Sequence, residues 1–267
     1  MDFFWDTVET VDRAKCDGFS HFDTGHIIWL VFFLCVAAVC TRFYLDAGEG
    51  RGSAFPNCRR RIRIVFAVLL IIGEVLKYVV VAKAGVPLAG YLPLQLCSIS
   101  VILVIVHALL PVGSGADADQ RPVSGVFYRY IGNFLYLIGL PAGLAALLFP
   151  SWTALPILAN FMSLHSFTTH ILLVTYVAML VAAKEIRPEI RTVPVCVCAL
   201  IVMAIGVYFF DVSFNMNFMY LVHLSPASPI APFASLGDYR IGYAVILAAL
   251  ILILYGVPAL VRRTSSR

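Results

Sequence analysis

The chain has 267 residues, of which 61% are hydrophobic and only 13% charged, and its mean hydropathy is +0.92. A soluble domain carries about a quarter charged residues, so this composition excludes an ordinary water-soluble domain and predicts an integral membrane protein. The formal net charge of +4 does not indicate nucleic-acid binding, because the basic residues are grouped by loop. Seven cysteines with no CxxC pair and no metal-ligand spacing predict neither a disulfide framework nor a zinc site.

Seven apolar segments are long enough to cross a membrane. A helix needs roughly 20 apolar residues to cross a hydrocarbon core about 30 Å thick. In chain order, the segments are 26–45, 64–84, 92–111, 126–148, 160–183, 193–212 and 242–261. We therefore predict an all-α fold, a polytopic bundle of seven transmembrane helices that forms one domain over residues 26–261. Polar and basic tails are predicted at 1–25 and 262–267, and Pro141 predicts a kink in the fourth helix.

The lysines and arginines of the loops predict the orientation of the bundle. The first, third and fifth loops and the C-terminal tail together carry 14 of them, against four on the opposite side. Basic residues are enriched in cytoplasmic loops, so we expect the N-terminus outside and the C-terminus in the cytoplasm.

Polar side chains from five segments fall at similar predicted depths in the outer half of the membrane. Ionisable groups inside a membrane span are costly, and they mark functional sites or pair with one another. The inner half is predicted to hold few polar side chains, with His107 as the main exception. The outer layer consists of His26, Glu74, Lys77, Gln95, Cys97, Asn160, His165, His170, Asp211, Asn215 and Asn217.

Several of these residues have a structural interpretation beside the functional one. Glu74 and Lys77 are three residues apart and can form an ion pair on one helix face. Asp211 and Asn215 can cap the end of the sixth segment. His26 lies near the predicted water boundary, where a histidine can be interfacial rather than catalytic.

Cys97 and His170 are the candidate catalytic pair. When an imidazole lies within hydrogen-bond reach of a thiol, it can take the thiol proton, and the thiolate then attacks a carbonyl carbon. Gln95, Asn217 or a backbone amide would stabilise the oxyanion that forms. The alternative, that Cys97 is an inert packing residue, stays open because the sequence does not show whether the two side chains touch.

Five short stretches and one single residue, Glu74, follow one another along the segments. The stretches are Gly25–Leu30, Leu92–Cys97, Gly139–Pro150, Phe167–His170 and Asn217–Leu221. In this order and spacing they resemble the YwaF-type bacterial membrane proteins, which are related to eukaryotic transmembrane protein 164. The resemblance covers nearly the whole chain.

The resemblance implies a seven-helix lipid-handling fold in a bacterial cell membrane. It also implies an acyltransferase that moves a fatty acyl chain between phospholipids without coenzyme A, with Cys97 as nucleophile and His170 as base. The substrate would be a membrane phospholipid or lysophospholipid. The chain departs from the family pattern at Gln95, where bacterial relatives often have His, and at Phe218, where Tyr is frequent. These departures leave the choice of substrate open.

The predicted site therefore has Cys97 and His170 as catalytic residues, and no metal, cofactor or nucleic acid is predicted. An alternative function is a non-enzymatic or transport-type protein that binds a small polar ligand or protons in the same pocket. The absence of a visible internal repeat in the sequence argues against alternating access. The supporting pocket is predicted to contain His26, Glu74, Gln95, His165 and Asn217.

Overall fold

The computed structural model describes residues 3–12, 17–48, 57–110, 123–224, 234–235 and 237–257, and within these ranges it is helical, with no strand. This confirms the all-α prediction for the described part of the chain. The longer helices are α1 (Thr24–Asp46), α2 (Cys58–Lys83), α3 (Leu96–Leu109), α4 (Val123–Phe134), α5 (Leu140–Leu148), α6 (Phe161–Ala182), α7 (Val193–Phe214) and α8 (Ile241–Ile251).

α4 and α5 are two parts of one apolar helix. A π turn at Leu135–Gly139 joins them, and a second π turn at Leu252–Gly256 extends α8. The irregularity that the sequence predicts at Pro141 therefore lies one turn earlier. Pro141 has no N–H to donate to the carbonyl four residues before it, and the wider turn lies next to the place where that bond is missing.

All seven predicted segments contain a helix, with α4 and α5 counted as one. Five helices are long and apolar enough to cross a membrane, namely α1, α2, the joined α4 and α5, α6 and α7, whereas α3 and α8 are shorter.

The predicted orientation of the bundle is not fixed by these helices and stays a prediction. Some basic residues on which it depends lie outside the described residues, namely Arg13, Lys15, Arg51, Arg121, Arg262, Arg263 and Arg267.

The predicted start of the third segment is wrong. Residues 92–95 are not helical, and α3 begins only at Leu96. Leu92 precedes Pro93 and has an extended ψ of 147°, because the proline ring disfavours the helical conformation of the residue before it. Gln95 is extended as well, with a ψ of 145°. Gln95 therefore precedes the helix, and Cys97 lies in its first turn.

α6 is the central helix of the bundle, and α1, α2, α3 and α5 all pack against it. Phe167, Leu173, Tyr176 and Met179 of α6 are fully buried. α1, α3 and α6 begin at the same end of the bundle, since the segments before them are hydrogen-bonded to one another. We call the end where α1, α3 and α6 begin the His26 end, and the opposite end the Glu185 end.

Two glycines let α5 approach both of its neighbours closely. A Cβ atom on Gly143 would lie 2.7 Å from Val174 Cγ2 of α6, and one on Gly139 would lie 3.3 Å from Ser100 Oγ of α3. Small residues allow this approach of helix backbones inside a membrane bundle. α5 therefore packs closely on both α3 and α6, which carry the two candidate catalytic residues.

Candidate active site

Cys97 lies in the first turn of α3, at the His26 end of the bundle. Gln95 is the N-cap residue, but its side chain makes no capping bond. The first N–H groups of a helix have no partner within the helix and carry partial positive charge. Negative charge on the Cys97 sulfur, or on a substrate oxygen beside it, would be stabilised here. The thiol itself donates to the Ala142 carbonyl of α5 at 3.6 Å.

His170 lies in α6 with 8% of its surface exposed. Its Nδ1 lies 2.7 Å from the Ser166 carbonyl oxygen. A carbonyl only accepts, so Nδ1 carries the ring proton and Nε2 carries the lone pair. The neutral ring is thus in the tautomer in which Nε2 can act as a general base. The indole of Trp152 stacks on the imidazole, with ring centroids 5.7 Å apart and planes inclined by 14°.

Cys97 and His170 lie on helices that both contact the same turn of α5. Cys97 contacts Ala142, and the next residue, Gly143, packs against Val174, which is one turn after His170 in α6. Among the described residues no hydrogen bond joins the pair, since the thiol proton is directed to Ala142 and the Nδ1 proton to a carbonyl of α6. Direct contact of the pair stays a prediction. Catalytic hydrogen bonds often form only when substrate binds.

Glu74 lies where α2 packs on α6. Its carboxylate accepts a hydrogen bond from Lys77 Nζ at 2.5 Å, which confirms the predicted ion pair within α2. Its other oxygen lies 3.5 Å from His165 Nε2, and His165 lies 3.4 Å from Thr169 Oγ1. Two predicted pocket residues, Glu74 and His165, are therefore in contact where α2 packs on α6.

His26 and Gln95 are bound to backbone groups. Both ring nitrogens of the fully buried His26 are used, since Nδ1 accepts from the Phe22 N–H at 2.9 Å and Nε2 donates to the Leu147 carbonyl at 2.7 Å. Gln95 Oε1 accepts from the Met219 N–H at 2.9 Å. His26 thus ties α1 to the end of α5, and Gln95 ties the start of α3 to the segment after α7.

Asn217 organises that segment. Its Oδ1 accepts from the N–H groups of Val222 and His223 at 3.1 and 3.0 Å, and its Nδ2 donates to the His223 carbonyl at 2.8 Å. Asn215 ends α7 in a left-handed conformation, with its N–H bonded to the Asp211 carbonyl. The predicted cap of α7 is thus present, although it is made by the Asn215 backbone.

The thiol, imidazole and carboxylate groups of the candidate site suit nucleophilic and acid–base chemistry. In the part of the chain that the structure describes, no group of three or more His, Cys, Asp or Glu side chains is placed to hold a metal ion.

A family model described as the TMEM164 family matches residues 21–256, a range that contains all seven predicted site residues. The chain belongs to the TMEM164 family. No curated protein and no solved structure matched it.

Membership of the TMEM164 family, together with the five long apolar helices, makes this chain an integral membrane protein. The expected bacterial cell membrane, the YwaF-type relationship and the acyltransferase activity are not given by the family match. They stay predictions.

The sequence missed a second polar cluster in this TMEM164 family member, at the Glu185 end. The Glu185 carboxylate accepts from Tyr44 OH at 2.8 Å, from Tyr128 OH at 3.3 Å and from Arg59 Nη1 at 3.4 Å. Arg63 is 3% exposed and donates to Tyr128 OH at 3.0 Å. The prediction that this half holds few polar side chains is therefore wrong.

His107 belongs to the same cluster, with Nδ1 2.9 Å from Tyr176 OH and its ring 3.8 Å from that of Tyr128. In the sequence the tyrosines are part of the apolar segments. Only the positions of their hydroxyl groups in the structure reveal the cluster. Arg59 and Arg63 are four residues apart on one face of α2, which was the available sequence signal.

Proposed function

We propose that this TMEM164 family protein is a membrane-embedded acyltransferase that moves a fatty acyl chain between phospholipids without coenzyme A. Cys97 accepts the acyl chain, and His170 acts as general base and then as general acid. The observation that carries the proposal is the position of the pair. Cys97 lies in the first turn of α3 and contacts Ala142 of α5. His170, with Nε2 unprotonated, lies one turn before Val174, which packs on Gly143 in the same turn of α5.

In the first step, the thiol leaves the Ala142 carbonyl and gives its proton to His170 Nε2. The sulfur attacks the carbonyl carbon of the lipid ester, and the first-turn N–H groups of α3 stabilise the charge on the carbonyl oxygen. The ester C–O bond breaks as the imidazolium returns the proton to the departing oxygen. The products are a thioester on Cys97 and a lysophospholipid.

In the second step, the hydroxyl group of an acceptor lysophospholipid gives its proton to His170 Nε2 and attacks the thioester carbonyl. The C–S bond breaks, and the imidazolium reprotonates the sulfur of Cys97. Water in place of the acceptor would release a free fatty acid. Exclusion of water from the space beside Cys97 would therefore favour transfer over hydrolysis.

The position of Cys97 also fits a lipid substrate. Phospholipid esters lie near the boundary between headgroups and hydrocarbon, and Cys97 is the second residue of α3. The bundle exposes large apolar side chains, among them Ile28, Val31 and Phe32 of α1. A substrate can thus remain in the bilayer while its ester reaches the site.

A transport or ligand-binding function is the alternative, with Glu74, His26 and His170 as a polar pathway. Both ring nitrogens of His26 are already bonded to backbone groups, so this residue cannot take a proton without losing a bond. The observation that favours the alternative is the contact between Glu74 and His165. Loss of function in Glu74→Gln but not in Cys97→Ala would support it.

Transfer of a labelled acyl chain from phospholipid to lysophospholipid in vesicles tests the proposal. We expect Cys97→Ala to abolish transfer, and Cys196→Ala, which alters a buried cysteine of α7, to leave it unchanged. Full transfer by a folded Cys97→Ala protein would contradict the proposed mechanism.

A further inference from the structure

Trp152 lies between α5 and α6 and covers the ring of His170. Besides this stacking, its indole meets the Phe167 ring edge-on, with centroids 6.1 Å apart and planes inclined by 81°. The orientation of the indole is therefore set on two sides. The imidazole is in turn held by the Ser166 carbonyl at Nδ1 and by the indole at its face.

The indole N–H of Trp152 is buried and has no hydrogen-bond partner among the described residues. An indole nitrogen can only donate, and buried donors without an acceptor are rare in native proteins and call for an explanation. Trp29 Nε1 is also buried and unpartnered, but the Trp29 ring stacks on Phe167, with centroids 5.2 Å apart. Of these two similar donors, only the one on Trp152 belongs to a ring stacked on the candidate base.

We propose that Trp152 is a substrate-binding and positioning residue of the acyl-transfer site, a proposal that rests on the proposed function. Its N–H donates to the carbonyl oxygen of the lipid ester, and its ring supports His170. When His170 takes the thiol proton, a cation lies within about 6 Å of an indole face, which is a favourable arrangement. The proton moves only between Cys97, His170 and the lipid oxygen, and Trp152 keeps its own.

Two substitutions separate the roles of the N–H and the ring. Trp152→Phe removes the donor and keeps an aromatic face, whereas Trp152→Leu removes both. A hydrogen-bond donor whose bond to the substrate oxygen strengthens as negative charge develops in the transition state affects kcat more than KM. We expect kcat for acyl transfer to fall about 10-fold in Trp152→Phe and about 100-fold in Trp152→Leu, with KM changed less than about twofold.

Trp29→Phe is the matched control, because it removes the other buried indole N–H. We expect its kcat to stay within about twofold of the wild-type value. A Trp152→Phe protein as active as Trp29→Phe would overturn the role of the N–H. Equal losses in Trp152→Phe and Trp152→Leu would overturn the role of the ring.

A binding measurement separates this proposal from the proposed function. Trp5→Phe and Trp29→Phe together leave Trp152 as the only tryptophan, and Cys97→Ala in the same protein prevents acylation. In a detergent without ester groups, we expect a diacyl phospholipid to shift the Trp152 emission to longer wavelength, and the dialkyl ether analogue to leave it unchanged. A protein that keeps only Trp29 should respond to neither lipid.

Failure of the Trp152 proposal and failure of the acyltransferase proposal give different experimental results. If the diacyl lipid alone shifts the emission but the wild-type protein transfers no acyl chain, the ester contact of Trp152 stands and the acyltransferase proposal fails. If transfer occurs but both lipids, or neither, shift the emission, the acyltransferase stands and the ester contact of Trp152 is overturned.

Discussion

The Glu185 cluster and the Cys97 site both contain buried polar side chains, but their hydrogen bonds differ. At the Glu185 end, one carboxylate accepts from side chains of α1, α2 and α4. At the other end, Cys97 and His170 donate to backbone carbonyls, and the N–H of Trp152 has no partner among the described residues. Bonds between side chains of different helices hold the bundle together, whereas the site leaves a base and a donor available. Substitutions in the cluster should therefore reduce stability, and those in the site should reduce activity.

The largest effect is expected at His170. His170→Gln removes the base but keeps a polar side chain of similar size, so acylation should slow about 1000-fold. The free energy of unfolding should change by only about 1 kcal/mol, since one backbone bond is exchanged and the stacking on Trp152 is lost. Single-turnover acylation and thermal unfolding measure the two effects. A large loss of stability with normal acylation would place His170 with the structural residues.

Glu185→Gln should give the reverse result. It leaves Arg59 and the two tyrosines without their carboxylate, so we expect the free energy of unfolding to fall by about 3 kcal/mol. The acylation rate of the folded protein should not change. Glu189→Gln is the control, because Glu189 pairs with Arg129 at 3.7 Å on a more exposed surface. Its effect should be below about 1 kcal/mol.

Gly143→Ala should reduce both the stability and the acylation rate, because the added methyl group pushes α5 away from α6. The added methyl group would lie 2.7 Å from Val174 Cγ2, and overpacking of this kind costs about 2 kcal/mol. Acylation should slow as well, since this turn of α5 contacts both Cys97 and the helix of His170. Gly206→Ala in α7, where no neighbour lies within 4 Å, is the control and should not destabilise the protein. Equal behaviour of the two variants would argue against the close contact.

The smallest effect concerns Asp23, the N-cap of α1. Its carboxylate accepts from the N–H groups of His26 and Ser20, and these bonds lower its pKa below the usual value of 3.8. Because the pKa is lowered by folding, the stabilisation is present above pH 3.8 and is lost as the pH falls through the lowered pKa. Melting temperatures of the wild type and Asp23→Ala should therefore differ slightly at pH 7 and converge in acid. A difference that grows in acid would contradict this cap.

The sequence was sufficient for the parts of the fold that depend on local pattern. Apolar length predicted all seven helical segments, and the spacing of Glu74 and Lys77 predicted their ion pair. The later start of α3 has a local signal in Pro93, which disfavours a helical conformation at Leu92. The bond of Gln95 to Met219 was not predictable, because the two residues are 124 positions apart in the chain.

The candidate site was predictable in its residue types but not in its geometry. The contact of Cys97 with Ala142 requires α5 to pack closely on α3, which depends on glycines in a different segment. Trp152 was not singled out, because a tryptophan near a membrane boundary is common. Its significance depends on the ring of His170 and on a buried N–H, and both are three-dimensional facts.

The most direct test of the central claim is intact-protein mass spectrometry after incubation with phospholipid. We predict a mass increase of one acyl chain, located on Cys97 and removed by hydroxylamine, as expected for a thioester. The adduct should be absent from Cys97→Ala and present in Cys196→Ala. An adduct on a different cysteine, or none while the protein still transfers acyl chains, would contradict the account.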